Sequence, residues 1–152
     1  MCLDITKTNT KRVERTLKKS PSHTAIFYKI YFLTKPYLQP VYFNEKNSIR
    51  EPGYVISNRK DKELSNYEIE TSIIDYGIHV FDTKLAAKME LNFVEYHYSN
   101  QDDGVYVIVP VVCSLKDFVA AGIFSGNSRR SSVFMRIKIT KQSWNKVMKE
   151  QK

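Results

Sequence analysis

The stretch TAIFYKIYFL, residues 24–33, carries the strongest structural signal in the chain. Seven of its ten residues are aromatic or β-branched, and these residue types favour strands. Alternation along a strand divides the side chains between one face with Ile26, Tyr28, Ile30 and Phe32 and another with Phe27, Lys29, Tyr31 and Leu33. Because both faces are mostly apolar, the stretch predicts a largely buried strand.

Shorter segments farther along the chain predict further strands. They lie at residues 41–43, 54–56, 67–74, 78–81, 93–98, 105–112 and 133–139. Pro110 indicates a bulge or an edge position in the 105–112 strand. In the last strand we expect Val133, Met135, Ile137 and Ile139 to face inward and Phe134, Arg136 and Lys138 to face outward.

Helices are expected in four places. Residues 1–22 predict a basic arm or a short helix, with Val13 and Leu17 at helical spacing. Asp82 or Thr83 can cap a helix over residues 84–90, with Leu85 and Met89 as its buried stripe. Ser114 can begin a helix of one or two turns, and Thr140 can cap a closing helix that contains Trp144, Val147 and Met148.

Together these elements predict an α+β fold, in which a mainly antiparallel, twisted sheet carries two or three short helices. The 152 residues, 42% of them hydrophobic, suffice for one domain, which we expect to span residues 23–152 after the N-terminal segment. The longest apolar run, residues 105–113, is too short to cross a bilayer. Two cysteines and no secretory signal favour the cytoplasm.

The formal net charge of +8 is unevenly distributed. Residues 1–20 have a net charge of +4 and residues 129–152 of +7, whereas the segment between them has −3. A mildly acidic body with two basic ends can form a focused positive surface for a polyanion.

RNA or a ribonucleoprotein is the expected partner, and the expected role is binding without catalysis. Arg136 and Lys138 should share a strand face with an aromatic ring, and cations beside exposed rings suit single-stranded RNA. A loop at residues 120–130 could present backbone N–H groups to phosphate. The complete set of predicted RNA-binding residues is Arg12, Arg15, Lys18, Lys19, Arg129, Arg130, Arg136, Lys138 and Lys141.

Two alternatives remain open. A small nucleotide-transferring enzyme, similar to an ADP-ribosyltransferase, could use His79 with Glu68 or Glu70, provided that all three meet in one pocket. A protein that sequesters a nucleotide signal could instead use Arg129 and Arg130. The histidines and cysteines lack metal-ligand spacing, so no metal and no cofactor is expected.

Several segments together resemble a loosely defined group of uncharacterised small proteins encoded by bacteria and their phages. They are Met1-Cys2-Leu3, Tyr28-Lys29-Ile30-Tyr31, Gly77-Ile78-His79-Val80-Phe81, Val107-Ile108-Val109-Pro110-Val111 and Asp117-Phe118-Val119-Ala120-Ala121-Gly122. The resemblance implies a small α+β fold, carriage on a phage or other mobile element, and no known activity. In that setting the expected role is to inhibit an RNA-guided nuclease of host defence.

Overall fold

The computed structural model describes residues 3–41, 48–98, 104–124 and 129–150. Within these ranges the chain forms ten strands: β1 Leu3–Ile5, β2 Thr24–Thr34, β3 Tyr37–Pro40, β4 Gly53–Ile56, β5 Ile73–Ile74, β6 Ile78–Phe81, β7 Val105–Ser114, β8 Phe118–Phe124, β9 Arg130–Phe134 and β10 Arg136–Ile139. The same ranges hold four α-helices: α1 Lys7–Lys19, α2 Asn66–Thr71, α3 Lys84–Tyr98 and α4 Lys141–Glu150.

All strands belong to one antiparallel sheet in the order β4-β10-β7-β2-β6-β9-β8-β1-β5, and β3 pairs with β2. Its longest ladder joins β2 to β7, from Thr24 opposite Ser114 to Leu33 opposite Val105. The predicted α+β class, with a single domain built on a mainly antiparallel sheet, is confirmed.

Helix α1 covers one face of the sheet, which we call the α1 face. Val13 and Leu17 are buried there against strand residues that include Phe27 and Phe134. Thr6 caps the helix by accepting a hydrogen bond from the Asn9 backbone N–H. Of the two possibilities for the N-terminal segment, an arm or a short helix, the structure has the helix.

Helix α3 packs on the opposite face, which we call the α3 face. Its Ala86 and Ala87 contact Ile30, Phe81 and Phe124 of the sheet. The predicted cap is present, since Thr83 accepts a hydrogen bond from the Ala86 backbone N–H. The predicted buried stripe is wrong, because Leu85 and Met89 are exposed while alanines make the inner contacts.

Two predicted strands are helical instead. Most of the 67–74 segment forms α2, because Ser65 and Glu68 make a capping box that starts a helix; only β5 joins the sheet. Residues 93–98 continue α3, where Val94 is buried at helical spacing from Glu90. Alternation over six residues therefore did not distinguish strand from helix here.

The predicted loop at residues 120–130 is wrong for its first half, which belongs to β8. Strand β1 lies so close to Gly122 that a Cβ atom there would collide with the Asp4 carbonyl oxygen. The position therefore requires glycine. Residues 125–128 lie outside the described ranges. Ala120, Ala121 and Gly122 thus belong to a closely packed strand and not to a loop.

The predicted strand 133–139 is two strands, β9 and β10, separated at Met135. The Met135 backbone N–H donates to the Asp117 carbonyl oxygen and its own carbonyl accepts from Ser57. Alternation is interrupted there, so Phe134 is buried on the α1 face and does not face outward.

The remaining predictions have mixed outcomes. The predicted strand at 41–43 is wrong at Val41, since β3 ends at Pro40, and residues 42–43 lie outside the described ranges. A single 3₁₀ turn, Leu115–Asp117, replaces the short helix expected after Ser114. Thr140 does cap α4 by accepting from the Ser143 backbone N–H.

Candidate nucleic-acid interface

At the β4 end of the sheet, aromatic, aliphatic and cationic side chains share an accessible part of the α3 face. Strand alternation turns Val55, Ile137 and Cys113 toward the core on the α1 face, so their neighbours project from the α3 face. We call this surface the open sheet face and define it by Ile26, Tyr54, Ile56, Val112, Arg136 and Lys138.

Strand register aligns four of these residues in a row. Tyr54 lies opposite Lys138, and Lys138 lies opposite Val112. Val112 in turn lies opposite Ile26. Adjacent strands are separated by about 4.8 Å, so the row extends about 14 Å across the sheet. Ile56 and Arg136 form a second pair beside it.

Two cationic side chains of this surface lie beside the ring of Tyr54. Its ring is 60% exposed, the Arg136 guanidinium carbon lies 4.3 Å from the ring centroid, and Lys138 Nζ lies 5.5 Å from it. The cations are attracted to the negative face of the ring. Arg136 Nε also donates to Asp117 Oδ2 at 3.3 Å, which anchors the guanidinium. The arrangement presents an aromatic ring and two cations together.

A cleft of about 270 Å³ between α3 and α4 adjoins the Ile26 end of this row. Tyr28 and Pro110, the next residues of β2 and β7 on the same face, line it. Exposed Lys84 of α3 and Lys146 of α4 contribute one cation from each helix. Lys84 and Lys146 therefore continue the positive charge of the open sheet face into the cleft. The Thr140 cap fixes where α4 begins after β10, and Lys141 is exposed in its first turn.

The prediction that Arg136 and Lys138 adjoin an aromatic ring names the right cations and the wrong ring. Phe134 is buried because of the break at Met135, and Tyr54 of the neighbouring strand takes its place. Alternation in the segment Gly53-Tyr54-Val55-Ile56 already puts Tyr54 and Ile56 on one face. The pairing of β4 with β10, which joins distant parts of the chain, cannot be derived from that pattern.

The predicted N-terminal cations lie elsewhere. They belong to α1, which packs on the other face of the sheet. Arg12 Nη2 donates to Asp82 Oδ2 at 2.7 Å, and this ion pair ties α1 to the segment before α3. Arg15, Lys18 and Lys19 are exposed. The structure therefore does not place these cations on the open sheet face.

Arg129 and Arg130 differ in their surroundings. Arg129 Nη1 lies 3.1 Å from Oε2 of the buried Glu90, and Arg129 Nη2 donates to the Met89 carbonyl oxygen. Arg129 thus anchors α3 to the start of β9. Arg130 is exposed. Of the predicted phosphate loop, residues 122–130, the first three belong to β8, and residues 125–128 lie outside the described ranges.

Among the described residues, Glu68 lines a cleft to which His79 and Glu70 do not contribute. His79 is only 5% exposed within β6; burial lowers its pKa to about 3, and the positive charge of Lys29 adds to that shift. A cleft of about 570 Å³ beside α2 is lined by Glu68 but by neither His79 nor Glu70. Glu70 is exposed to solvent.

Glu68 has a structural role in this cleft. Both of its carboxylate oxygens accept from Arg59, at 2.7 and 2.8 Å, and the Arg59 hydrogen bond lowers the pKa of Glu68. One oxygen also accepts from the Ser65 backbone N–H to complete the capping box. Glu68 therefore fixes the 57–66 segment to α2.

Three general findings complete the description. Across the described ranges, no three His, Cys, Asp or Glu residues are grouped so that they could hold a metal ion. None of the helices in those ranges is long and apolar enough to cross a membrane. No protein-family model, curated protein or solved structure matches the chain.

Proposed function

We propose that this protein binds single-stranded RNA without catalysis, using the open sheet face and the adjoining cleft. The observation that carries the proposal is Tyr54, an exposed ring with Arg136 and Lys138 beside it on an accessible sheet. Bases stack on such rings while neighbouring cations contact phosphates. Each stacked base contributes about 1–3 kcal/mol.

The dimensions suit this ligand. A row of about 14 Å offers room for about two or three splayed bases, the number that open sheets of RNA-binding domains stack. Ile26 and Val112 extend the apolar surface beyond Tyr54, and Lys146 continues the positive charge into the cleft. Single-stranded RNA exposes both its bases and its phosphates, so it can use both features at once.

The ionisable groups favour binding over catalysis. Among the described residues, clear pKa displacements occur at Glu68, His79 and Cys113. The first is ion-paired with Arg59 and the other two are buried. None of them belongs to the open sheet face, where a catalytic group with a perturbed pKa would be expected in an enzyme.

The proposal includes RNA that is held in a ribonucleoprotein. By covering exposed bases and phosphates, the open sheet face would act through occlusion. An RNA-guided nuclease encountered by a phage or mobile element is a target of this kind. The mobile-element setting rests on the sequence resemblance alone.

Fluorescence anisotropy with a labelled single-stranded RNA oligomer tests the proposal. We expect Tyr54→Ala to weaken binding about 5- to 150-fold, the equivalent of one lost stacking contact. Tyr67→Ala is the matched control, because Tyr67 is 61% exposed but lies on α2. Equal effects of the two substitutions, or no binding by the unaltered protein, would overturn the proposal.

A further inference from the structure

Helix α3 has a second apolar stripe on the side that faces solvent. Ala86, Ala87 and Val94 are buried against the sheet. The outer stripe consists of Leu85, Met89, Phe93 and Tyr96, whose exposed fractions range from 46% to 82%. At about 100° per residue these four lie within an arc of about 80°. An exposed apolar surface of this kind marks a protein interface.

The outer stripe changes character along the helix. Its first half is aliphatic, with Leu85 and Met89. Its second half is an ordered aromatic cluster, in which the His97 ring lies 4.2 Å from Phe93 and 5.1 Å from Tyr96. Methionine and leucine pack well against aromatic rings. An antiparallel second copy of α3 would bring each half against the other.

Charges beside the stripe favour the same orientation. Lys84 and Lys88 precede Glu95, and at about 100° per residue all three fall on one flank of the helix. In an antiparallel pair with two-fold symmetry, equivalent flanks of the two helices meet. Lys88 of each copy would then face Glu95 of the other, whereas a parallel pair would not bring this flank against itself.

One position of the two-fold axis satisfies both patterns. With the axis near Leu91, Leu85 lies opposite Tyr96 and Met89 lies opposite Phe93. When the axis is shifted by less than one residue along the helix, Lys88 lies opposite Glu95. Apolar and charged contacts therefore agree in register. The helix dipoles are also opposed in this arrangement, which is the favourable orientation.

We propose that α3 forms an antiparallel, two-fold interface with α3 of a second copy of this chain. The contact is isologous, so it closes as a dimer and does not propagate. One helix pair is a small interface, and we expect a concentration-dependent dimer and not a permanent one. The inference does not depend on RNA binding, because the outer stripe is separate from the open sheet face and its residues do not line the cleft.

Sedimentation equilibrium over a wide range of concentrations provides the first test. The unaltered protein should show a monomer–dimer equilibrium, and Met89→Lys should remain monomeric. Ile69→Lys is the control, because Ile69 is exposed on α2 and away from the stripe. A protein that stays monomeric throughout, or a dimer that survives Met89→Lys, would overturn the inference.

Charge reversal tests the antiparallel register. Lys88→Glu and Glu95→Lys should each weaken the dimer, and the double variant should restore it. Circular dichroism melting checks that all three proteins fold, since both side chains are exposed. A double variant weaker than either single variant would exclude the proposed pairing.

Discussion

At the scale of single residues, Tyr54 matters because of its surroundings and not because of its type. Three tyrosines, Tyr54, Tyr67 and Tyr76, have nearly the same exposure. Of these, Tyr54 is the ring on which Arg136 and Lys138 converge. A stacking platform needs an accessible ring and a nearby cation for the phosphate, and Tyr54 provides both.

His79 predicts a specific dependence of stability on pH. Its pKa is about 3 in the folded protein and about 6.5 in the unfolded chain, so only the unfolded chain takes up the proton as pH falls below 6.5. Stability is therefore complete above this value, and about 2 kcal/mol is lost by pH 5. Urea unfolding at pH 7.5 and pH 5 measures the loss.

The control for this prediction is His79→Leu, which removes the titrating ring. The lowered pKa of Glu68 affects stability only when the pH falls below 4.5, the ordinary pKa of this group. The change in stability between pH 7.5 and pH 5 therefore reports on His79. The variant should lose most of the difference between the two pH values. A difference as large as in the unaltered protein would show that another group causes it.

The Arg59–Glu68 ion pair predicts a non-additive effect. Arg59→Met should reduce the free energy of unfolding by about 3 kcal/mol, because it leaves a buried carboxylate without its partner. The double variant with Glu68→Leu should be less destabilised than Arg59→Met alone. Urea unfolding of both proteins gives this comparison. A double variant that is as destabilised as Arg59→Met, or more so, would contradict the assigned role of the pair.

At the scale of elements, Gly122 shows how a sequence signal was misread. A glycine beside alanines suggested a loop, yet Gly122 allows β1 to lie against β8. Gly122→Ala should destabilise the fold by about 1–3 kcal/mol or more, the usual cost of overpacking. Thermal unfolding measures the loss, and hydrogen exchange should increase first in β1. A melting temperature that does not change would contradict this close approach.

The strand elements could be predicted where apolar residues form long runs. Residues 24–33 and 105–112 allow no amphipathic helix, and they form the central ladder. Segments in which polar and apolar residues alternate were ambiguous. The segment 67–74 alternates like a strand, but Ser65 and Glu68 start a helix there. Buried Glu90 also concealed the inner stripe of α3, since its burial depends on Arg129 from a distant strand.

The candidate site was predictable only in part. Arg136 and Lys138 stood out through local charge and alternation, and both are on the open sheet face. Tyr54 could not be connected with them because the β4–β10 pairing is a tertiary contact. The same holds for the cleft, whose Lys84 and Lys146 come from two separate helices.

At the scale of the whole molecule, the sheet separates the cations of α1 from Arg136 and Lys138, whereas Val147 of α4 packs into the same core as α1. Residues of α1 lie on one face, whereas Arg136 and Lys138 project from the other. The net charge of +8 therefore does not act as a single field on one ligand. In our proposal, the cations of α1 do not contact RNA.

The salt dependence of RNA binding tests this separation. Replacing Arg136 and Lys138 by Glu should reduce the slope of log K against log salt by about 1.4, because single-stranded nucleic acid contributes about 0.7 per phosphate contact. The control is the double variant Lys18→Glu, Lys19→Glu, which changes the net charge by the same amount but on α1. Titrations at several salt concentrations compare the two. Equal slopes for both double variants would contradict the assignment.

Photo-crosslinking to single-stranded RNA, followed by mass spectrometry of tryptic peptides, tests the central claim most directly. Tyr54 lies in the peptide between Arg50 and Arg59, whereas Tyr67 and Tyr76 lie together in the peptide between Lys62 and Lys84. The proposed interface predicts crosslinks in the first peptide. Crosslinks confined to the peptide with Tyr67 and Tyr76, or to α1, would contradict it.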